Sequence, residues 1–138
     1  MNTKHSLQKA LSLVAFLMLL VATTAQAKRV VERPYFLGSN NHKLEIERVT
    51  LDKKATLLDV KIYQASGDVG IDSHASIMAN GVKYDYIGSK QLPKGVFVKV
   101  PECGYVAATL RFKPMSESTT EFDFRETADN SGWNIYGV

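Results

Sequence analysis

From Leu44 onward, apolar and polar residues alternate with a period of two, and turn-forming residues cut the alternation into short runs. Successive side chains of an extended strand point to opposite faces, whereas one face of a helix recurs only every three to four residues. A chain patterned in this way hides its apolar set by curling or stacking antiparallel strands. Leu44 and Ile46 oppose Lys43, Glu45 and Glu47, and Val49 and Leu51 resume the apolar set after a phase change at Arg48. Such a slip is what a β-bulge produces. Asp52-Lys53-Lys54 makes a polar turn into a second run, 55–63, with Leu58, Val60 and Ile62 against Asp59 and Lys61. Together the two runs predict a hairpin.

The strongest turn signal is Asn80-Gly81, between Ser76-Ile77-Met78 and the run of Val82, Tyr84 and Tyr86. Asn-Gly tolerates positive φ at both central positions, as a two-residue hairpin requires. Val96, Val98 and Val100 alternate up to Pro101. Val106, Ala108, Leu110 and Phe112 alternate up to Pro114, and Phe122 and Phe124 alternate with Glu121, Asp123 and Arg125. Asp129-Asn130-Ser131-Gly132 then turns the chain into a last run from Trp133. No window of 28–138 carries an amphipathic helical pattern. The expectation is an all-β, Ig-like antiparallel β-sandwich of about 7–8 strands after a cleaved N-terminal signal helix. A small barrel is the alternative. "Ig-like" refers to shape only, because the inter-sheet cysteine pair of antibody domains is missing.

The first 27 residues set the expected address. Lys4 and Lys9 precede an apolar stretch over 10–22, and Ala25-Gln26-Ala27 supplies small residues at a cleavage site. That is the layout of a secretory signal peptide, and the apolar stretch is shorter than the roughly 20 residues of a membrane span. The expected organisation is therefore a signal peptide at 1–27 and a single β-sandwich domain at 28–138, secreted or held in the periplasm or cell envelope. No stable membrane anchor is expected once the signal is cleaved. Two of the 17 basic residues and none of the 14 acidic ones lie in the leader, so the formal charge of +3 falls close to neutral after cleavage. A near-neutral domain has no surplus positive field for phosphates, so nucleic acid is not an expected partner. Another envelope or secreted protein is.

Few residues suggest chemistry. Cys103 is the single cysteine, so no internal disulfide can form, and it is expected as a half-buried residue of the loop Pro101-Glu102-Cys103-Gly104. Asp72-Ser73-His74 holds the residue types of a hydrolase triad, but consecutive side chains of an extended chain diverge, and a loop entering a strand is the expectation. His42, after Ser39-Asn40-Asn41, is expected on the surface. Asp129-Asn130-Ser131-Gly132 lacks the further oxygen ligands of a calcium loop and is expected as a turn. Tyr84, Tyr86, Phe97, Trp133 and Tyr136 are expected to pack and cap the core; their alternative use is a carbohydrate-stacking platform. No residue is assigned as catalytic, cofactor-binding or metal-binding, no cofactor is expected, and the binding residues stay open.

Several segments together resemble the β-sandwich domain that precedes the thioredoxin-like domain in secreted proteins of Bacteroidetes. Pro34-Tyr35-Phe36 resembles its entry strand, and Leu44-Glu45-Ile46-Glu47-Arg48-Val49 its "I-x-K-V-x-x" strand. Asn80-Gly81-Val82-Lys83-Tyr84 resembles its "G-K-x-Y" turn, and Leu110-Arg111-Phe112-Lys113-Pro114-Met115 its "L-x-F-x-P-L" strand. Phe122-Asp123-Phe124-Arg125-Glu126, followed by Trp133-Asn134-Ile135-Tyr136-Gly137-Val138, is similar to its "F-D-F-x-E … W-x-I-Y-G-I" ending. In that family a domain with Cys-x-x-Cys follows the sandwich; here the sequence reaches Val138 without it. The resemblance thus implies a shape, a compartment and an accessory role, with no catalytic residue carried over. The functional expectation is a secreted, non-enzymatic accessory or interaction module. The alternatives are a remnant or separately encoded N-terminal domain of a thioredoxin-like thiol–disulfide protein, and a small carbohydrate-binding module.

Overall fold

The computed structural model describes residues 28–129 and 131–138, so the expected signal peptide at 1–27 lies outside the described residues. The described chain is all-β, with strands β1 (Arg29–Glu32), β2 (Gly38–Ser39), β3 (Leu44–Leu51), β4 (Thr56–Tyr63), β5 (Asp68–Val69), β6 (Ser76–Ala79), β7 (Val82–Gly88), β8 (Val98–Lys99), β9 (Tyr105–Phe112), β10 (Asp123–Arg125) and β11 (Asn134–Tyr136). Nine of them form one antiparallel sheet in the order β1-β3-β4-β9-β7-β6-β10-β11-β2, and β5 pairs with β8 in a small second sheet.

The long strands lie where alternation marks them. In β4, Thr56, Leu58, Val60 and Ile62 are buried and the residues between them are not; in β9 the same holds for Val106, Ala108, Leu110 and Phe112. β3 and β4 form the expected hairpin, and their register slips between Ile46 and Arg48, so Glu47 is the extra residue of a bulge. Asn80 (φ 50°) and Gly81 (φ 76°) form the β6–β7 turn with both residues in the left-handed region.

The sheet curls at β7. Its first half pairs with β6 and its second half with β9, with a register shift between Tyr86 and Gly88. This turns the β1-β3-β4-β9 half to face the β6-β10-β11-β2 half. Leu58, Ile62, Leu110 and Phe112 then meet Ile77, Phe124 and Ile135 in one continuous core. The Phe112 and Phe124 rings meet edge-on with centroids 6.2 Å apart, and Tyr86 packs 5.2 Å from Phe112. Each fully buried side chain of this size contributes roughly 1.5–3 kcal/mol. The expectation of two separate sheets is refined here: the two layers are halves of one sheet, because β7 is long enough to serve both.

Two further expectations need correction. The Val96–Val100 run is strand only at Val98–Lys99: Val96 is exposed, Val98 packs against the core and Val100 is buried in it. Pro34-Tyr35-Phe36 is not a strand; it belongs to the link between β1 and β2. Pro34 has no N–H to give to a ladder, and three consecutive large apolar residues cannot all face one side of a strand.

Candidate functional site

β1 begins the spatial order of the nine-stranded sheet and β2 ends it. Among the described residues these two strands are the outer edges, so residues 33–37 carry the chain from one edge to the other across the seam of the curled sheet. Both ends of this crossing are tied down. The bulge at Glu47 offers its carbonyl to the Arg33 N–H at 2.7 Å, and Arg33 sits at φ 47°, a region non-glycine residues rarely occupy. At the other end the Leu37 N–H donates to Tyr136 O at 2.8 Å. Leu37 lies across Gly137, where an added Cβ would come within 2.6 Å of the leucine side chain. Glycine at 137 is thus required both by its φ of +64° and by this close approach.

Between these ties three large side chains point outward: Tyr35 is 96%, Phe36 57% and Leu37 84% exposed. Single exposed apolar residues are ordinary, but a contiguous group marks a surface that another molecule covers. A groove runs along each flank. One, of about 380 Å³, lies beside β1 over Val31, Val49, Leu51 and Phe122. The other, of about 370 Å³, lies under Phe36 over Leu44, Ile46 and Ile135, with His42 on its rim. Arg33 and Pro34 line both.

A third concavity, of about 590 Å³, occupies the outer face of β3, β4 and β9. Its charges are largely paired with one another. Arg48 contacts Glu32 at 2.7 Å and Asp59 at 3.7 Å, Thr109 donates to Asp59, and Lys61 lies 3.0 Å from Glu47. The Glu47 carboxylate, through its hydrogen bond and its charge, pushes the Lys61 ammonium pKa up. Exposed pairs of this kind add little stability, but they leave few open valences for a ligand.

The residues singled out from the sequence are scattered. Asp72, Ser73 and His74 occupy a turn, with Ala75 N–H bonded to Asp72 O, and not an extended segment. The turn folds Asp72 back so that its carboxylate lies 3.1 Å from His74 Nδ1, contrary to the divergence expected from a strand. Ser73 Oγ approaches the same nitrogen at 3.5 Å. A relay requires the acid and the hydroxyl on opposite ring nitrogens, so this cluster is not one. His42 is on the surface. Cys103 is exposed rather than half-buried, its thiol 3.5 Å from Tyr105 O. The Asp129 carboxylate accepts from the Ser131 hydroxyl at 2.7 Å and from its N–H at 3.1 Å, which holds its pKa down at about 2, and Asn130 lies outside the described residues. Among the described residues, no group of three or more His, Cys, Asp or Glu side chains gathers as a metal site.

The aromatic set divides. Tyr86 is in the core, Tyr84 and Trp133 pack against it, and Phe97 and Tyr136 are exposed. Trp133 is held through its backbone: its N–H donates to Glu126 Oε2 at 2.8 Å, and burial pushes that carboxyl's pKa up. The residues that the sequence reading did not single out for binding are Arg33, Tyr35, Phe36 and Leu37. Their signal was legible as a run of three large apolar residues with no alternation, directly after a proline. No protein-family profile, curated protein or solved structure matches this chain.

Proposed function

We propose that this protein is a non-enzymatic binding module of the cell envelope or extracellular space, exported by the leader at 1–27 and working by docking another exported protein. The observation that carries the reading is the outward presentation of Tyr35, Phe36 and Leu37 on a segment tied at both ends. Anchored aromatic side chains lose little freedom on binding, so the area they cover converts into affinity with a small entropic cost. The curled two-layer β fold is compatible with the β-sandwich of the resemblance, and with an accessory role of the kind such N-terminal domains have.

The test is a photo-crosslinking residue at position 35 in the protein expressed in its native cells. A discrete protein adduct is expected, lost on Phe36→Ser with Leu37→Ser, and absent when the crosslinker replaces the exposed Arg111. The same adducts from positions 35 and 111, or none from 35, would overturn the reading. N-terminal sequencing of the exported protein is expected to begin at Lys28; retention of Met1 would remove the proposed route.

A further inference from the structure

We infer that Arg33 and the two grooves beside it form a docking site for an extended segment of a partner protein in which a carboxylate side chain adjoins a large apolar one. The inference rests on the binding-module reading and specifies its partner. Three arginines stand around β1, and two are engaged. Arg48 contacts Glu32 and Asp59, and Arg29 Nη1 donates to Thr119 O at 2.8 Å and Glu117 O at 3.3 Å. Among the described residues, no hydrogen bond or ion pair engages the Arg33 guanidinium, and Arg33 lines both grooves as well as the adjoining concavity over β3, β4 and β9. The nearby acids do not neutralise it. Glu32 is held by Arg48, Glu45 accepts from the Tyr63 hydroxyl at 3.2 Å, and Glu121, on the wall of the 380 Å³ groove, forms no ion pair with it.

An unengaged guanidinium beside apolar surface matches one carboxylate, which it can take with two parallel hydrogen bonds. It does not match a polyanion, because Glu45 and Glu121 on the groove walls, neither of them in an ion pair among the described residues, would repel further negative charge. The floors made by Val49, Leu51 and Phe122 on one side and by Leu44, Ile46 and Ile135 on the other suit apolar side chains flanking that carboxylate. An extended segment fits because, among the described residues, the edge of β1 away from β3 pairs with no strand, which leaves its backbone groups available to a visiting chain. The combination of arginine and tyrosine around an apolar floor is that of interface hot spots.

The peptides acetyl-Leu-Glu-Phe-amide and acetyl-Leu-Gln-Phe-amide differ only in the charge. Titrated into the isotope-labelled protein and followed by amide NMR shifts, the Glu peptide is expected to give saturable shifts within residues 29–46. The Gln peptide should bind about tenfold more weakly, as should the Glu peptide to Arg33→Gln. The unbound spectrum of that variant should overlay the parent outside the crossing, since the side chain has no partner to lose. Equal affinity for the two peptides, or no saturable shift with either, overturns the inference. If peptides fail while the position-35 adduct forms, the binding-module reading stands and this inference falls. If both fail, both fall. Peptide binding without an adduct supports the site and overturns the native partner.

Discussion

Tyr86 shows how one residue ties local sequence to the core. Alternation with Val82 and Tyr84 assigns it a face, and along β7 that face passes from exposed at Val82 through partly buried at Tyr84 to the core at Tyr86, which is 2% exposed. Its hydroxyl donates to Leu92 O at 3.2 Å, which satisfies the one polar group the ring carries inward. Burial pushes the phenol pKa from 10.0 up to about 12, partly opposed by the Ser89 hydroxyl. The folded state therefore holds this proton more tightly than the unfolded state. The corresponding stability is complete below pH 10 and is lost as pH rises from 10 to about 12. Tyr86→Phe is expected to cost about 1 kcal/mol at neutral pH, through the unsatisfied Leu92 carbonyl. The variant should lose less stability than the parent over that alkaline range, and urea midpoints at neutral and alkaline pH check both parts. A parallel loss in the two proteins would mean that Tyr86 titrates normally.

Among elements, the β6–β7 hairpin and the β3 bulge illustrate two ways in which a short signal acts at a distance. Asn80-Gly81 closes the hairpin with two residues at positive φ, and the space around Gly81 is open to 4 Å. The cost of Gly81→Ala is then conformational and not steric: about 1–2 kcal/mol for a left-handed alanine. Asn80→Gly should be close to neutral because glycine adopts the same turn. Thermal unfolding of the two variants separates them; equal losses would mean that the Asn80 side chain, and not the backbone, holds the turn. The Glu47 bulge keeps Leu44, Ile46, Val49 and Leu51 on the buried face while presenting an extra carbonyl to Arg33. The phase change at Arg48 was legible in the chain. That the freed carbonyl would fix the entry to the crossing was not, because β1 must first pair with β3.

For the whole molecule, the seam between β1 and β2, the outer strands among the described residues, is the distinctive feature. The core of Leu58, Leu110, Phe112 and Phe124 does not involve Tyr35, Phe36 or Leu37. Replacing all three with serine is expected to shift the thermal midpoint by little, since substitutions away from the core usually stay within about 0.5 kcal/mol each. The same variant is expected to scatter less light and to bind less of a hydrophobic dye than the parent, because it lacks the exposed apolar group at 35–37. Light scattering and a hydrophobic-dye titration on matched samples read this out. A cooperative loss of stability instead would show that the crossing holds the two edges together and is structural.

Periodicity and turn chemistry determined much of this protein on their own. Alternation marks β3, β4 and β9, Asn80-Gly81 marks the hairpin, and the phase slip marks the bulge, because each depends on the geometry of adjacent residues along the backbone. The two-residue strands β2 and β5 escaped notice, since nothing so short has a period, and β8 was expected as a longer run than the two residues that pair. Only the tertiary structure decided that the layers are one sheet curled at β7 and that residues 33–37 bridge two edges. Those outcomes depend on contacts between segments distant in sequence. Exposure of Tyr35, Phe36 and Leu37 belongs to the same class: a large apolar run reads equally as core or as surface until the strands on either side are paired.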